Sequence, residues 1–124
     1  MNRVPSRVLA VVAVAALAAC SFQNSYEREA DRITQAMMAN DVRPVEGDLA
    51  PSVHLTRVQV AEASDELSAQ GKLLSVKETT VNCPAGVHCF DVKFEKRTYL
   101  ERLRLDENGK VVGWSYHVAP AAAQ

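Results

Sequence analysis

The sequence predicts an α+β domain in which N-terminal helices pack on a four-strand antiparallel meander. Three observations favour this class. Apolar residues recur at helical spacing between residues 26 and 70, the period changes to alternation after Gly71, and Asn108-Gly109 is typical of a hairpin turn. Because the helices precede the strands instead of alternating with them, we expect an antiparallel sheet with helices on one face.

The first helix is predicted from Glu27 to about Asn40. Its inward stripe has spacings of four, three and four residues and consists of Tyr26, Ala30, Ile33 and Met37. Ser25 is the expected N-cap, and acidic residues follow it in the first turn, where they complement the helix dipole.

A second long helix is predicted from Arg57 to about Gln70. Before it, two prolines and a glycine between residues 41 and 51 end the first helix, and this stretch is expected to be a short helix or an anchored loop. Thr56 and Gln59 have the spacing of a capping box. Gly71 stands where a glycine that ends a helix belongs.

Four strands are predicted after Gly71, over residues 73–82, 88–95, 99–105 and 110–118. The second strand alternates apolar and polar residues and should be half-buried. Residues 106–109 form the turn before the last strand. One face of that last strand is expected to carry Val112, Trp114, Tyr116 and Val118, with Trp114 and Tyr116 in the core and not in a sugar-binding platform.

Two stretches, AQGKLLSVKETTV and VKFEKRTYLERLRLDENGKVVGWSYH, contain a helix ending at glycine, a charged strand, a D-x-x-G-K turn and an aromatic last strand. With these features the chain resembles small uncharacterised bacterial domains of the cystatin-like, nuclear-transport-factor-2-like superfamily. The resemblance implies a curved sheet wrapped around a long N-terminal helix. Enzymes of that superfamily, such as ketosteroid isomerases, use a carboxylate base with acid or phenol donors, which implies such roles for Asp91 or Glu101 with Tyr99 or Tyr116. Alternation along the second strand directs Asp91 away from the apolar face, however, so we expect Asp91 to be solvated.

The first 19 residues are typical of a bacterial lipoprotein signal peptide. Two arginines precede a run of twelve apolar residues, whose length of roughly 18 Å is short of the ~30 Å hydrocarbon core of a membrane. The residues Leu17, Ala18, Ala19 and Cys20 then resemble a lipobox. This resemblance implies recognition of Leu17, Ala18 and Ala19 by signal peptidase II, cleavage before Cys20 and a lipid on the Cys20 thiol. The alternative is an ordinary signal peptide cut near a cysteine.

The predicted mature chain begins at Cys20 and is divided into a lipidated tether (20–25), the α+β domain (26–118) and a flexible tail (119–124). Ser21, in place of the aspartate that retains enteric lipoproteins in the inner membrane, favours the outer membrane.

Cleavage removes two of the 14 basic residues and none of the 15 acidic ones, which leaves a net charge of about −3. This mixed charge is unlike the basic stripe of a nucleic-acid-binding protein. The expected partners are the membrane, through the lipid, and an envelope protein.

Cys83 and Cys89 are the two cysteines that remain when Cys20 carries a lipid. They flank a Pro-Ala-Gly turn between two predicted strands, and the cell envelope is oxidising, so we expect a disulfide. Redox catalysis would favour a Cys-x-x-Cys motif at the start of a helix. A zinc site that used His88 with the two thiolates would lack a fourth ligand, and no metal is expected.

The sequence contains no Gly-x-Ser-x-Gly, phosphate-binding glycine loop or His-Glu-x-x-His motif. Each of His54, His88 and His117 is expected to be a surface or structural histidine, with a general base as the alternative. The charged stretch 93–104 is expected to form a solvated face or a docking surface. Cross-strand ion pairs are expected there among Lys93, Glu95, Arg102 and Arg104.

These observations together favour a non-enzymatic binding or accessory role in the envelope, without a cofactor. Two alternatives remain open. The first is an immunity or inhibitor lipoprotein directed against a cell-wall hydrolase, and the second is a pocket enzyme on the same fold.

Overall fold

The computed structural model describes residues 22–120. The predicted signal peptide, the predicted lipidation site Cys20, the predicted sorting residue Ser21 and residues 121–124 lie outside this range. The elements in chain order are α1 (Ser25–Met38), a 3-10 helix (Arg43–Asp48), α2 (Arg57–Ser68), β1 (Leu73–Thr79), β2 (His88–Phe94), β3 (Thr98–Leu105) and β4 (Val111–Val118). The four strands form an antiparallel sheet in the order β1-β2-β3-β4, which confirms the predicted α+β meander.

The start of α1 is fixed by Asn24, one residue before the expected cap Ser25. The Asn24 side chain accepts a hydrogen bond from the Glu27 amide, and the Glu27 carboxylate accepts one from the Asn24 amide, both at 2.8 Å. This reciprocal pair is a capping box. Asn24 also donates to Glu78 in β1 at 3.0 Å, so a residue of the predicted tether is bonded to the sheet. Tyr26 is 39% exposed, outside the core in which the predicted stripe had placed it.

The predicted capping box of α2 is present. The Gln59 amide donates to the Thr56 hydroxyl at 3.1 Å, and the Gln59 side chain accepts from the Thr56 amide at 3.0 Å. Gly71 follows the helix with a φ of +85°. This positive φ favours glycine, and a Cβ at this position would also lie 2.9 Å from Oε1 and 3.0 Å from Cβ of Glu95, so the Glu95 side chain would have to shift.

The core lies between the two long helices and one face of the sheet, which we call the inner face. Alternation along each strand directs every second side chain to this face. Its buried members from the helices and the sheet include Ile33, Met37, Leu67, Phe90, Val92, Phe94, Tyr99 and Leu103. We call the opposite, solvated side of the sheet the outer face.

A β-bulge changes the pattern expected for β4. Arg104 pairs with Gly113 but Leu105 pairs with Val111, which leaves Val112 out of the pairing. As a result Val111 is 1% exposed and packs in the core, whereas Val112 is 36% exposed. The prediction that placed Val112 on one face with Trp114 and Tyr116 was therefore wrong, because Val111 and not Val112 points into the core. Simple alternation of side chains cannot predict the extra residue that a bulge inserts.

Candidate functional site

The interior of the domain contains a carboxyl group, that of Glu101 in β3, which is 0% exposed. The alternation of β3 directs this side chain toward α1. Oγ1 of Thr34 in α1 lies 2.8 and 2.9 Å from the two carboxyl oxygens, and it also lies 2.7 Å from the carbonyl oxygen of Ala30. The indole N–H of Trp114 in β4 donates to Oε2 of Glu101 at 3.4 Å. The sequence indicated none of these partners of Glu101.

Burial raises the pKa of Glu101 to about 8, although the hydrogen bonds from Thr34 and Trp114 act in the opposite direction. The geometry agrees with a neutral acid. The Thr34 hydroxyl has a single proton and faces three acceptor oxygens. A protonated Glu101 can donate to Thr34 while Thr34 donates to the Ala30 carbonyl, so that every buried oxygen is satisfied. Glu101 is therefore an internal acid that is sealed from solvent.

A cleft of about 390 Å³ opens between α2 and β4, and we call it the α2–β4 cleft. Residues three and four positions apart share a face of a helix, and α2 accordingly presents Gln59, Glu62 and Glu66 to this space. The opposite wall consists of Trp114 and Tyr116, whose ring centroids are 5.1 Å apart. Met37 and Leu55 supply apolar surface. The cleft thus has an acidic helix on one side and an aromatic strand on the other.

Two tyrosine hydroxyls face Glu66 at this cleft. The Tyr99 hydroxyl donates to Oε1 of Glu66 at 3.2 Å. Burial and the negative charge of Glu66 raise the pKa of Tyr99, and they raise the pKa of Tyr116 to about 12. Both phenols therefore remain protonated donors at neutral pH. Among residues 22–120, neither Glu62 nor Glu66 takes part in a salt bridge.

The predicted disulfide between Cys83 and Cys89 is present, with the two Cα atoms 5.8 Å apart. Since the sulfurs are bonded to each other, they are not available as a thiolate pair for a metal. His88 lies beside the disulfide but turns toward α1. Its Nδ1 is 2.8 Å from Oε2 of Glu78, and its ring stacks on that of Tyr26 with centroids 3.9 Å apart. Within the described part of the chain, no three potential metal ligands cluster together.

The other candidate residues are dispersed. Asp91 is exposed on the outer face, so the structure does not bring it together with Tyr99 or Tyr116. His54 and His117 are also exposed. By contrast, Glu101, Tyr99, Tyr116 and Trp114 do lie close together. Trp114 and Tyr116 are half-buried and line the cleft, so their assignment to the core was correct only in part.

The cross-strand ion pairs expected on the outer face are not among the salt bridges that residues 22–120 form. Lys93 lies opposite Ser75 and Thr98, and Arg102 lies opposite Cys89 and Ser115, so no acid faces either cation. Oε1 of the Glu95 carboxylate instead accepts a hydrogen bond from the backbone amide of Lys72, with an N–O distance of 2.7 Å. Alternation had identified the face of the sheet but not the register between strands.

Sequence reasoning missed Thr34, Glu62 and Glu66. The i,i+4 spacing of two glutamates on one helix was an available signal for the cleft, because like charges at this spacing are unfavourable in an isolated helix. No feature of the sequence indicated a role for Thr34.

In the described range, no helix combines the length and the apolar character needed to span a membrane. No protein-family model, curated protein or solved structure matches the chain.

Proposed function

We propose that this chain is a bacterial lipoprotein, anchored through a lipid on Cys20, whose small domain has a non-enzymatic binding role in the cell envelope. The anchor is supported by the basic start, the short apolar run and the LAAC box. Ser21 favours the outer membrane, with the domain facing the periplasm. The cap of α1 at Asn24 follows Cys20 by only four residues, so the anchor would hold the domain close to the lipid surface.

The observation that carries the binding role is the α2–β4 cleft. It places Glu62 and Glu66, which form no salt bridge within residues 22–120, opposite the half-buried rings of Trp114 and Tyr116. Carboxylates without a cation, next to aromatic surface, form a favourable site for a positively charged or hydroxylated group. The helices on one face of the meander also support a cystatin-like relationship.

A binding role is favoured over the pocket enzyme because of the position of Glu101. The superfamily resemblance made this carboxyl a candidate acid or base, but both of its oxygens contact Thr34 and the group has no exposed surface. A general acid or base must come within hydrogen-bond distance of its substrate. Glu101 therefore acts in this proposal as a structural acid beneath Trp114.

Lipidation is tested by metabolic labelling with a fatty-acid analogue. Wild-type protein should be labelled, and Cys20→Ala should lose the label and retain its signal peptide. Labelling of the Cys20→Ala protein would contradict the anchor.

The binding site is tested by crosslinking and affinity capture from membranes with the Glu62→Gln/Glu66→Gln double variant. Asp65→Asn is the matched control, because it changes one charge at an exposed position of α2 that does not line the cleft. Specific partners should be lost with the double variant and kept with the control. Equal capture by both variants would remove the support for the cleft as the binding surface.

An inhibitor or immunity lipoprotein is the second candidate, and the loop before β2 favours it. The disulfide holds this loop, and Val81 beside it is 70% exposed. A Val81→Ser variant that abolishes capture, while the cleft variants do not, would support this candidate over the first.

A further inference from the structure

We infer that the free edge of β4 binds an extended peptide segment of a partner protein that carries lysine or arginine, with its basic side chains in the α2–β4 cleft. This inference rests on the binding role proposed for that cleft. It adds the chemistry of the partner and the way in which its backbone is recognised.

The first observation is the unpaired backbone of β4. β4 is an edge strand of the sheet. The Ala119 amide donates to the Thr98 carbonyl at 3.0 Å, which sets the phase of the hydrogen-bond ladder between β3 and β4. His117 and Ser115 then bond to β3, and the alternate residues Trp114, Tyr116 and Val118 direct their N–H and C=O groups away from the sheet. No loop of residues 22–120 bonds to these outward groups.

The second observation is that an extended segment of the chain already pairs with the start of this edge. The Ala50 amide donates to the Val111 carbonyl at 2.8 Å, and Leu49 forms a parallel bridge with Val111. This contact covers only the first residue of β4. From Trp114 to Val118, over about 14 Å, the edge has no backbone partner among residues 22–120, and this length matches an added strand of roughly five residues.

The third observation is the charge beside that edge. Side chains alternate along an added strand, so every second one would point into the cleft. A cation placed there would lie near Glu62 and Glu66 and next to the aromatic rings of Trp114 and Tyr116. Arg97 lies close enough to the Tyr99 hydroxyl to lower its pKa, but within residues 22–120 it forms no salt bridge with either glutamate. A lysine or arginine is therefore favoured in the cleft, and an acidic residue is repelled.

The opposite edge of the sheet is a weaker candidate. The outward amide of Glu78 in β1 is already occupied, because it donates to the Glu27 carboxylate at 2.7 Å. A strand added there would also have to displace the side chain that caps α1. The open and acidic edge is that of β4.

The charge preference is tested by fluorescence anisotropy with the full-length chain in detergent and a labelled peptide, Ac-Val-Lys-Val-Lys-Val-Lys-NH₂. We expect this peptide to bind at least tenfold more tightly than its glutamate counterpart. Glu62→Gln/Glu66→Gln should weaken binding at least fivefold, and Asp65→Asn should leave it unchanged. Equal affinity for the lysine and glutamate peptides would overturn the inference.

Backbone pairing is tested with two N-methylated versions of the lysine peptide, one methylated on its lysine amides and one on its valine amides. Alternate residues of a strand direct their N–H groups to opposite edges. One version should therefore bind like the parent and the other should lose binding, whereas equal binding of the two would exclude strand addition.

If the lysine peptide does not bind but capture from membranes still depends on Glu62 and Glu66, this inference is wrong and the proposed function stands. If capture is also independent of the two glutamates, both are wrong.

Discussion

Replacement of Glu101 by glutamine should remove a pH dependence of stability that the buried acid creates. The folded chain holds a proton on Glu101 up to a pKa of about 8, whereas an unfolded glutamate releases it near its ordinary pKa of 4.5. Between these two values the folded state binds one more proton than the unfolded state. The contribution of Glu101 to stability is therefore complete below pH 4.5 and decreases as the pH rises toward 8.

The expected magnitude follows from the pKa. One proton corresponds to about 1.4 kcal/mol per pH unit, so wild-type stability should fall by roughly 3 kcal/mol between pH 5 and pH 7 from this group alone. Glutamine preserves the shape and can donate to Thr34 while it accepts from Trp114. It does not titrate, so the free-energy difference between Glu101→Gln and wild type should move in favour of the variant by that amount.

The assay is urea denaturation of both proteins at pH 5, 6 and 7, followed by the fluorescence of Trp114, the single tryptophan of the chain. Burial and the neighbouring Asp48 carboxyl also raise the pKa of Glu29, to about 7, and this adds a slope of the same sign to both proteins. The difference between them cancels that slope. Parallel stability curves for the variant and the wild type would refute the protonated Glu101.

Three further predictions concern stability and are measured by the same urea titrations at pH 6. Thr34→Val keeps the shape but removes the hydroxyl from Glu101, and it should destabilise the fold by about 1–3 kcal/mol; an unchanged midpoint would contradict the buried network. The Cys83→Ser/Cys89→Ser variant should lose about 2 kcal/mol, because the disulfide closes a short loop, and reduced wild type should match it; a reduced wild type as stable as the oxidised one would contradict this role. Gly71→Ala should lose at least about 1 kcal/mol, because of its positive φ and the close Glu95 side chain; Gly47→Ala, with nothing within 4 Å of the added Cβ, is the control, and equal effects at both sites would contradict the argument.

The class of fold was predictable because it depends on local signals. The capping box at Thr56 and Gln59, the glycine at position 71 and the change of period each report on a few neighbouring residues. These signals located both long helices and all four strands. They gave the α1 cap one residue late, because Asn24 and Ser25 are both good cap residues. The glutamate at position 27 completes a capping box with Asn24 and not with Ser25.

The candidate site was predictable only in part, because it depends on register and on contacts distant in sequence. The β-bulge at Val112 shifts the alternation of β4 by one residue, and this shift cannot be predicted from the pattern of apolar and polar residues. Glu101 and Thr34 are 67 residues apart, and their contact forms only when α1 packs on the sheet. Cys83 and Cys89 are six residues apart and flank a turn, so their pairing was accessible from the sequence.

Site-specific photo-crosslinking in cells that express the full-length chain tests whether the α2–β4 cleft is the surface that binds a partner. A photoreactive amino acid at Gln59, which lines the α2–β4 cleft, is compared with one at Asp91, which is exposed on the outer face. We expect a discrete covalent adduct in the membrane fraction from position 59, reduced by Glu62→Gln/Glu66→Gln, and no adduct from position 91. An adduct from position 91 alone, or from neither position, would contradict this role of the cleft.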